Sequence, residues 1–172
     1  MEFYSVLKAR HSVRTFEKKE LSKEAVEKLI GSFLLSPSAG NLQSYKVYYT
    51  KNPALKKNLS GAALGQEFIA EAPVVFVFCA DKQHAATKYA ERGYELYSIQ
   101  DATIAASYLQ LAAAAEGLGS VWVGAFDPLE VSRLVNAEPY AVPVAIIPVG
   151  YPAEEPAMRE RRHVTDIVKE LK

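Results

Sequence analysis

Residues Ala72–Ala80 read APVVFVFCA, a run without a single charged side chain that ends at Asp81. Continuous apolar runs of this length, rich in β-branched and aromatic residues, predict a central β-strand that is covered on both faces. Cys79 is the one cysteine of the chain. Its place in this run, with no cation beside it in sequence, predicts a small buried side chain rather than a reactive thiol.

Helices and strands alternate on both sides of this strand. Ahead of it, an apolar stripe with helical spacing follows Ser22, the expected N-cap, and YKVYYT (45–50) predicts a strand. Behind it, the segment from about Gln83 to Glu116 predicts a long helix that stops at Gly117 or Gly119. The second half of that helix is apolar on nearly every side, so we expect it to be buried throughout and partly covered by another subunit.

Two further strands are predicted near the C-terminal end of the chain. SVWVGAF (120–126) is one, YAVPVAIIPVGYP (140–152) is the other, and a helix capped by Asp127 lies between them. Strands that alternate with helices indicate an α/β or α+β sandwich in which helices cover the sheet.

Composition limits the functions that need to be considered. The chain has 172 residues, is 49% hydrophobic and carries 20 basic and 20 acidic residues, which predicts one domain over residues 1–172. Zero net charge provides no overall field for nucleic acid or an anionic membrane. No secretory signal is visible and no apolar stretch approaches about 20 residues. We therefore expect a cytoplasmic protein with neither nucleic acid nor membrane as partner.

Common catalytic and nucleotide-binding motifs are missing. The histidines at 11, 84 and 163 have no second ligand at metal spacing, so no metal site is predicted. No G-x-S-x-G occurs, and GLGSVWVG (117–124) lacks both the third glycine of a dinucleotide fingerprint and the lysine of a Walker loop. These glycines also fit a plain helix end that leads into a strand.

A basic segment near the N-terminus, RHSVR (10–14), offers an anion site. In an extended chain Arg10, Ser12 and Arg14 point the same way, and guanidinium groups bind phosphate through paired charged hydrogen bonds. The alternative is a surface pair of arginines that are solvated or bridged to Glu17 and Glu20.

Two further polar clusters stand out. The turn PSAGNLQS (37–44) presents amide and hydroxyl groups that suit the edge of a polar heterocycle, although a plain surface loop has the same composition. RERRH (159–163) is a second local group of cations, or else a solvated tail.

Taken in this order along the chain, these motifs resemble the nitroreductase family of FMN-dependent oxidoreductases, in particular its short members. The resemblance implies an α+β fold with a central mixed, mainly antiparallel sheet flanked by helices, in an intertwined homodimer with FMN at the subunit interface. It departs from the family in two places: Ser44 and Tyr45 follow Gln43, and little chain is left after Asp81 to form a substrate lid.

The resemblance also implies roles for individual residues. Arg10, His11, Ser12 and Arg14 would hold the phosphate and ribityl end of FMN, joined from the C-terminal segment by Arg161 and Arg159, with Arg162 as an alternative. Ser38, Asn41 and Gln43 would reach the flavin from the partner subunit. Trp122, Gly124 and Ala125 would lie against the isoalloxazine ring, and Gln66 would face the substrate.

The implied activity is transfer of hydride from NADH or NADPH, through FMN, to a nitroaromatic, quinone or similar small acceptor by a ping-pong mechanism. Because the flavin carries the chemistry, no catalytic side chain is predicted. Two alternatives stay open: an FMN-binding storage or sensor protein with little turnover, and a flavin-dependent dehalogenase-like enzyme.

Overall fold

The computed structural model describes residues 2–154 and 159–171. Its centre is an antiparallel sheet in the strand order β1-β2-β4-β3. The strands are β1 (Tyr45–Thr50), β2 (Val74–Asp81), β3 (Gly119–Ser120) and β4 (Ala141–Gly150). An isolated parallel bridge joins Ser12 to Ser120. The predicted α+β fold with a mainly antiparallel sheet is confirmed.

Helices surround this sheet. They are α1 (Phe3–Ala9), α2 (Lys23–Leu34), α3 (Pro53–Ala62), α4 (Phe68–Glu71), α5 (Lys82–Arg92), α6 (Ser98–Ala115) and α7 (Pro128–Leu134). A π-helical turn, Gly93–Tyr97, joins α5 to α6, and 3-10 turns occupy Ala39–Asn41 and Val164–Asp166. Within the described ranges, no helix combines the length and apolar character that a membrane span requires.

β2 separates two hydrophobic cores. Its alternate residues Val74, Phe76 and Phe78 lie in the core formed with α2 and α6. Val75, Val77 and Cys79 lie in the other core, with α3 and α7. Successive side chains of a strand point to opposite faces, so a strand buried on both faces reads as one unbroken apolar run. Cys79 is buried as predicted, and burial raises the pKa of its thiol to about 12, which favours the thiol over the reactive thiolate.

The predicted caps hold the helices in place. Ser22 Oγ accepts a hydrogen bond from the Ala25 N–H at 3.1 Å, and Asp127 caps α7 in the same way. At the other end of α6, Gly117 takes φ 72° and the Leu118 N–H donates to the Ala113 carbonyl at 2.8 Å. Gly117 is therefore the stop, because glycine enters this left-handed conformation without steric cost.

The strand predicted over residues 120–126 is much shorter in the structure. β3 pairs Gly119 with Gly150 and Ser120 with Val149, and the same register returns at the bridge between Val123 and Ile146. In that register Val121 faces Pro148, which has no N–H to donate. The ladder is interrupted at this pair, although Val121 and Val123 are both buried.

Within one chain the helix α6 leaves one face uncovered, and its predicted cover by another subunit stays a prediction. Asp101, Ala105, Leu109 and Ala113 face the core. Ile104 and Leu111 are half-buried, and Tyr108 is 39% exposed. These three residues are spaced to form one stripe on the helix, so an apolar face of α6 stays open to solvent in the single chain.

Candidate functional site

The segment Arg10–Arg14 lies beside β3. The Val13 N–H donates to the Ser120 carbonyl at 3.0 Å, and Ser12 forms the parallel bridge to Ser120. Val13 is buried, whereas Ser12 and Arg14 are exposed and Arg10 is half-exposed. Since alternate residues of an extended segment face opposite ways, the three polar side chains lie on the side away from Val13. His11 Nδ1 is 2.9 Å from the Ala9 carbonyl, so this ring nitrogen is the donor.

Gly119 allows this close approach. A Cβ built on Gly119 would lie only 2.7 Å from Cβ and Cγ1 of Val13, well inside van der Waals contact. Any larger residue at position 119 would push the arginine segment away from β3. Gly124 has no such restriction, because its nearest neighbour is the Trp122 ring at 3.4 Å.

Neither Arg10 nor Arg14 forms an ion pair in the part of the chain that the structure describes. In residues 2–154 and 159–171, every ion pair uses a lysine: Lys23, Lys28, Lys46 and Lys82. The bridges from Arg10 or Arg14 to Glu17 and Glu20 that the sequence left open are therefore not formed. Arg14 lies 5.9 Å from the centroid of the Phe68 ring, which leaves its charge available to an anion.

Gln66 is hydrogen-bonded to the segment that follows β3. Its Nε2 donates to the Ala63 carbonyl at 2.8 Å and to the Ala125 carbonyl at 3.2 Å. Trp122 is half-buried against the α6 core, while Gly124 and Ala125 are exposed. The structure thus brings the arginine segment, the Trp122–Ala125 segment and Gln66 to the β3 edge of the sheet.

A cavity of about 190 Å³ opens next to the arginine segment. Arg10 and His11 line one wall, and Gln110 and Ser120 line another. Gln110 Nε2 approaches Ser120 Oγ at 3.5 Å, so α6, β3 and the arginine segment meet here.

The polar loop formed by residues 38–43 has an unusual backbone. Gly40, Asn41 and Gln43 all have φ between 51° and 58°, which costs energy in the two residues with side chains. Internal hydrogen bonds stabilise the turn: Ser38 Oγ accepts from the Gln43 N–H at 2.9 Å, and Gln43 Nε2 donates to the Asn41 carbonyl at 3.0 Å.

Asp101 anchors both ends of this loop, and sequence reasoning missed it. Its side chain is only 2% exposed. Oδ1 accepts from the Ala39 N–H at 2.9 Å, and Oδ2 accepts from the Ser44 N–H at 3.2 Å. The signal was present in the sequence, since an acidic residue inside an apolar helix is rarely buried without partners. Which loop it holds becomes visible only in the fold.

The helix α5 covers the outer side of the loop. His84 Nε2 lies 3.1 Å from the Leu42 carbonyl, and a carbonyl only accepts, so this nitrogen carries the hydrogen. A Cβ on Gly40 would collide with Tyr89 Oη and Lys88 Nζ, which places both side-chain ends directly on the loop backbone.

The predicted residues do not all meet within one chain. The loop is bonded to Asp101 of α6, whereas the arginine segment lies next to Ser120, which contacts Gln110 of the same helix. Asp101 and Gln110 are nine residues apart, which is about 13 Å along the helix axis. Every residue from Arg159 to Leu171 is exposed. Arg162 Nη2 donates to the Asp166 carbonyl at 3.2 Å, a hydrogen bond within the C-terminal segment itself.

Comparison with known proteins assigns the chain to a family. The family model for the nitroreductase family matches residues 7–67 and 60–151. The chain belongs to the nitroreductase family. The predicted resemblance is therefore confirmed over most of the sequence.

Individual nitroreductase-family relatives agree with this assignment. An NADH dehydrogenase of Thermus thermophilus is 31% identical, with 85% of this chain and 84% of that protein covered. The hypothetical oxidoreductase YcnD of Bacillus subtilis is 27% identical with a TM-score of 0.90, over 98% of this chain and 73% of that one. The NADPH:FMN oxidoreductase of Vibrio harveyi, solved in complex with NAD+, shares the fold at 23% identity and a TM-score of 0.89, over 98% and 76%.

Proposed function

We propose that this protein is an FMN-dependent oxidoreductase that takes hydride from NADH or NADPH and reduces a nitroaromatic, quinone or similar small acceptor. The observation that carries the proposal is the pairing of Ser12 with Ser120, which sets Arg10 and Arg14 beside the Trp122–Ala125 segment. Family membership supports it, as does the name of the Thermus relative, an NADH dehydrogenase. The protein would act as a single domain over residues 1–172, in the cytoplasm.

The arginine segment fits the phosphate of FMN. A phosphate monoester carries close to two negative charges at neutral pH, and a chain with no net charge must meet them with local cations. Arg10 and Arg14 provide two guanidinium groups that pair with no carboxylate in residues 2–154 and 159–171, and Ser12 provides a hydroxyl between them. Arg159 and Arg161, on an exposed segment, would add charge to the same phosphate.

The remaining predicted residues would hold the ring system. Exposed backbone at Gly124 and Ala125, next to the half-buried Trp122, offers a flat surface for the ring, and Gln66 is tied to Ala125 on the substrate side. When bound, FMN supplies the redox chemistry, accepting hydride from NAD(P)H and passing electrons to the acceptor in a ping-pong sequence. The chain binds and orients the reactants and excludes water.

A homodimer would complete the site. The helix α1 packs against α6 and exposes Phe3, Tyr4 and Leu7 at 63%, 75% and 43%, which adds apolar surface to that of the open stripe. Large apolar patches of this kind mark interfaces between proteins. Within one chain the loop 38–43 and the arginine segment lie apart along α6, so we assign Ser38, Asn41 and Gln43 to the flavin held by the partner.

Absorbance spectroscopy tests the proposal directly. The purified protein, reconstituted with FMN if necessary, is expected to show a flavin spectrum and to bleach under anaerobic conditions when NADH or NADPH is added. Re-oxidation by a nitroaromatic or quinone then completes the cycle. A protein that binds FMN but is bleached by neither nucleotide would instead be a storage or sensor protein, and one that takes up no flavin would contradict the proposal entirely.

A further inference from the structure

We propose that α5 and the π-helical turn carry a binding site for an anionic group on the planar substrate, formed by Lys88 and Arg92 on the rings of Tyr89 and Tyr97. We call these four residues the lysine–tyrosine cluster. The inference rests on the proposed function, because it assumes that the loop 38–43 borders the flavin. It adds a prediction of the substrate's charge, which the flavin chemistry does not determine.

The cluster is continuous from the loop outward. Tyr89 Oη and Lys88 Nζ touch the backbone at Gly40, between Ser38 and Asn41. Tyr89 then packs edge-to-face on Tyr97 with centroids 5.1 Å apart. A substrate that stacks beside the loop would meet this wall.

Both cations are held on aromatic rings. Lys88 Nζ lies 5.5 Å from the Tyr89 centroid. Arg92 Cζ lies 5.4 Å from the Tyr97 centroid, and its Nε donates to Tyr97 Oη at 2.9 Å. Stacking on a ring limits the freedom of long side chains, so less entropy is lost when they bind an anion.

The positive charge of the cluster has no acidic partner. Among the described residues, the one ion pair on this segment joins Lys82 to Glu95 at 3.3 Å, and Lys82 also lies 4.4 Å from the Tyr94 centroid. Lys88 and Arg92 are exposed and pair with no carboxylate there. Exposed surface cations are often simply solvated, but here Lys88 lies on the loop backbone at Gly40, and Arg92 lies on the Tyr97 ring that packs against Tyr89.

The backbone between the two cations is strained. Ala90 interrupts α5 with φ 46° and ψ −136°, a conformation that glycine adopts freely and alanine does not. The kink separates Lys88 and Tyr89 from Arg92, and both halves still converge on Tyr97. Strain of this sort persists where the surrounding structure maintains it and is concentrated at binding sites.

The chemistry of the cluster selects a flat molecule with a negatively charged group. Tyrosine rings offer stacking area, while ammonium and guanidinium groups bind carboxylate or phosphate. Two sources share this chemistry: an acceptor with an aromatic carboxylate, and the additional phosphate that distinguishes NADPH from NADH. Both would enter the same pocket in turn.

Matched substrate pairs test the inference in the FMN-loaded protein. The acceptors 4-nitrobenzoate and 4-nitrobenzamide are similar in shape and differ in charge, as NADPH and NADH differ by one phosphate. The ratio of kcat/KM within each pair is measured for the wild type, for Lys88→Gln with Arg92→Gln, and for Lys57→Gln, an exposed lysine on α3. In the double variant, either the nitrobenzoate-to-nitrobenzamide ratio or the NADPH-to-NADH ratio is expected to be about fivefold to tenfold lower than in the wild type.

The outcomes separate the two sources and the two proposals. A fall in the nitrobenzoate ratio assigns the anion to the acceptor, and a fall in the NADPH ratio assigns it to the nucleotide. If both ratios match those of Lys57→Gln while turnover continues, the inference is wrong and the proposed function stands. If FMN affinity falls instead and neither ratio changes, the cluster serves the cofactor and the inference is again wrong. If the wild type is never reduced by NAD(P)H, both proposals fail.

Discussion

Asp101 Oδ1 accepts the hydrogen bond of the Ala39 N–H at 2.9 Å, and the same carboxylate reaches Ser44 at the far end of the loop. A buried carboxylate is stable only where hydrogen bonds replace its lost hydration. The loop donates both, which offsets the cost of the left-handed backbone at Asn41 and Gln43. Helix and loop therefore hold each other in a single geometry.

Replacing Asp101 with asparagine should disturb the loop more than the rest of the fold. An amide has one acceptor oxygen, so its NH₂ group would face a backbone N–H and leave a buried donor unpaired, at a cost of about 1 to 3 kcal/mol. We expect FMN to bind the folded variant about tenfold more weakly than the wild type, as measured by quenching of flavin fluorescence.

Ser98→Ala is the matched control for this change. Ser98 is also buried on α6, and its Oγ donates to the Tyr94 carbonyl at 3.1 Å without touching the loop. Its loss should lower the melting temperature while leaving FMN affinity unchanged. If the two variants showed the same loss of FMN affinity for the same loss of stability, Asp101 would have no specific role in the loop.

Arg10 and Arg14 can be tested with two ligands that differ only in the phosphate. Charged hydrogen bonds to a phosphate contribute about 1.5 to 3 kcal/mol each, so changing both arginines to alanine should weaken FMN binding by several kcal/mol. Riboflavin lacks the phosphate and should bind the variant and the wild type alike. The measurement is the ratio of the two dissociation constants.

An exposed lysine close in sequence provides the control for the arginines. Lys18→Ala removes a similar charge from the same part of the chain and should leave the ratio of FMN to riboflavin affinity as it is in the wild type. A double arginine variant that weakens both ligands equally would place the phosphate elsewhere, and the exposed Arg159 and Arg161 would be the next residues to change.

Much of the fold could be predicted because it depends on local chemistry. The side chains of Ser22, Asp127 and Gly117 determine where helices begin and end through contacts within a few residues. The unbroken apolar run of β2 likewise reports burial on both faces. None of these features requires knowledge of what the chain packs against.

The rest depends on contacts that are distant in sequence. The gap in the ladder after β3 comes from Pro148, which meets Val121 only once the antiparallel register is set. The role of Asp101 depends on a loop some sixty residues earlier, and its partners there are backbone N–H groups that every residue type except proline has. One face of α6 is open in the single chain, and the apolar pattern of a helix does not reveal what covers that face.

Gly119 and Val13 should behave as a coupled pair. Alanine at position 119 would force its Cβ into the Val13 side chain, and overpacking of this kind costs about 1 to 3 kcal/mol. Val13→Ala removes the two γ-methyl groups but keeps the Cβ, so it relieves part of the clash, and the double variant should be more stable than the sum of the single changes predicts. Urea unfolding of the wild type, the two single variants and the double variant is expected to give a coupling energy of about 0.5 to 3 kcal/mol. If the two stability changes were simply additive, the segments around Val13 and Gly119 would be able to move apart without loss of stability.

Lys56 predicts how stability depends on alkaline pH. Its side chain is 6% exposed, and its Nζ donates to the Ala72 carbonyl. Burial lowers the pKa of this ammonium group from the ordinary value of 10.5, although the charge of Glu20 partly opposes the effect.

Because the folded-state pKa is the lower one, the unfolded chain binds more protons between the two values, and stability rises with pH through that window. Lys56→Met should remove this contribution, so the stability advantage of the wild type over the variant should increase as the pH rises toward the ordinary lysine pKa of 10.5. Urea unfolding at several pH values measures the difference, in which the other titrating groups cancel. Lys57→Met, the exposed neighbour on the same helix, should follow the wild type. A variant at position 56 that kept the wild-type pH slope would show that Lys56 titrates in the fold as it does in the unfolded chain.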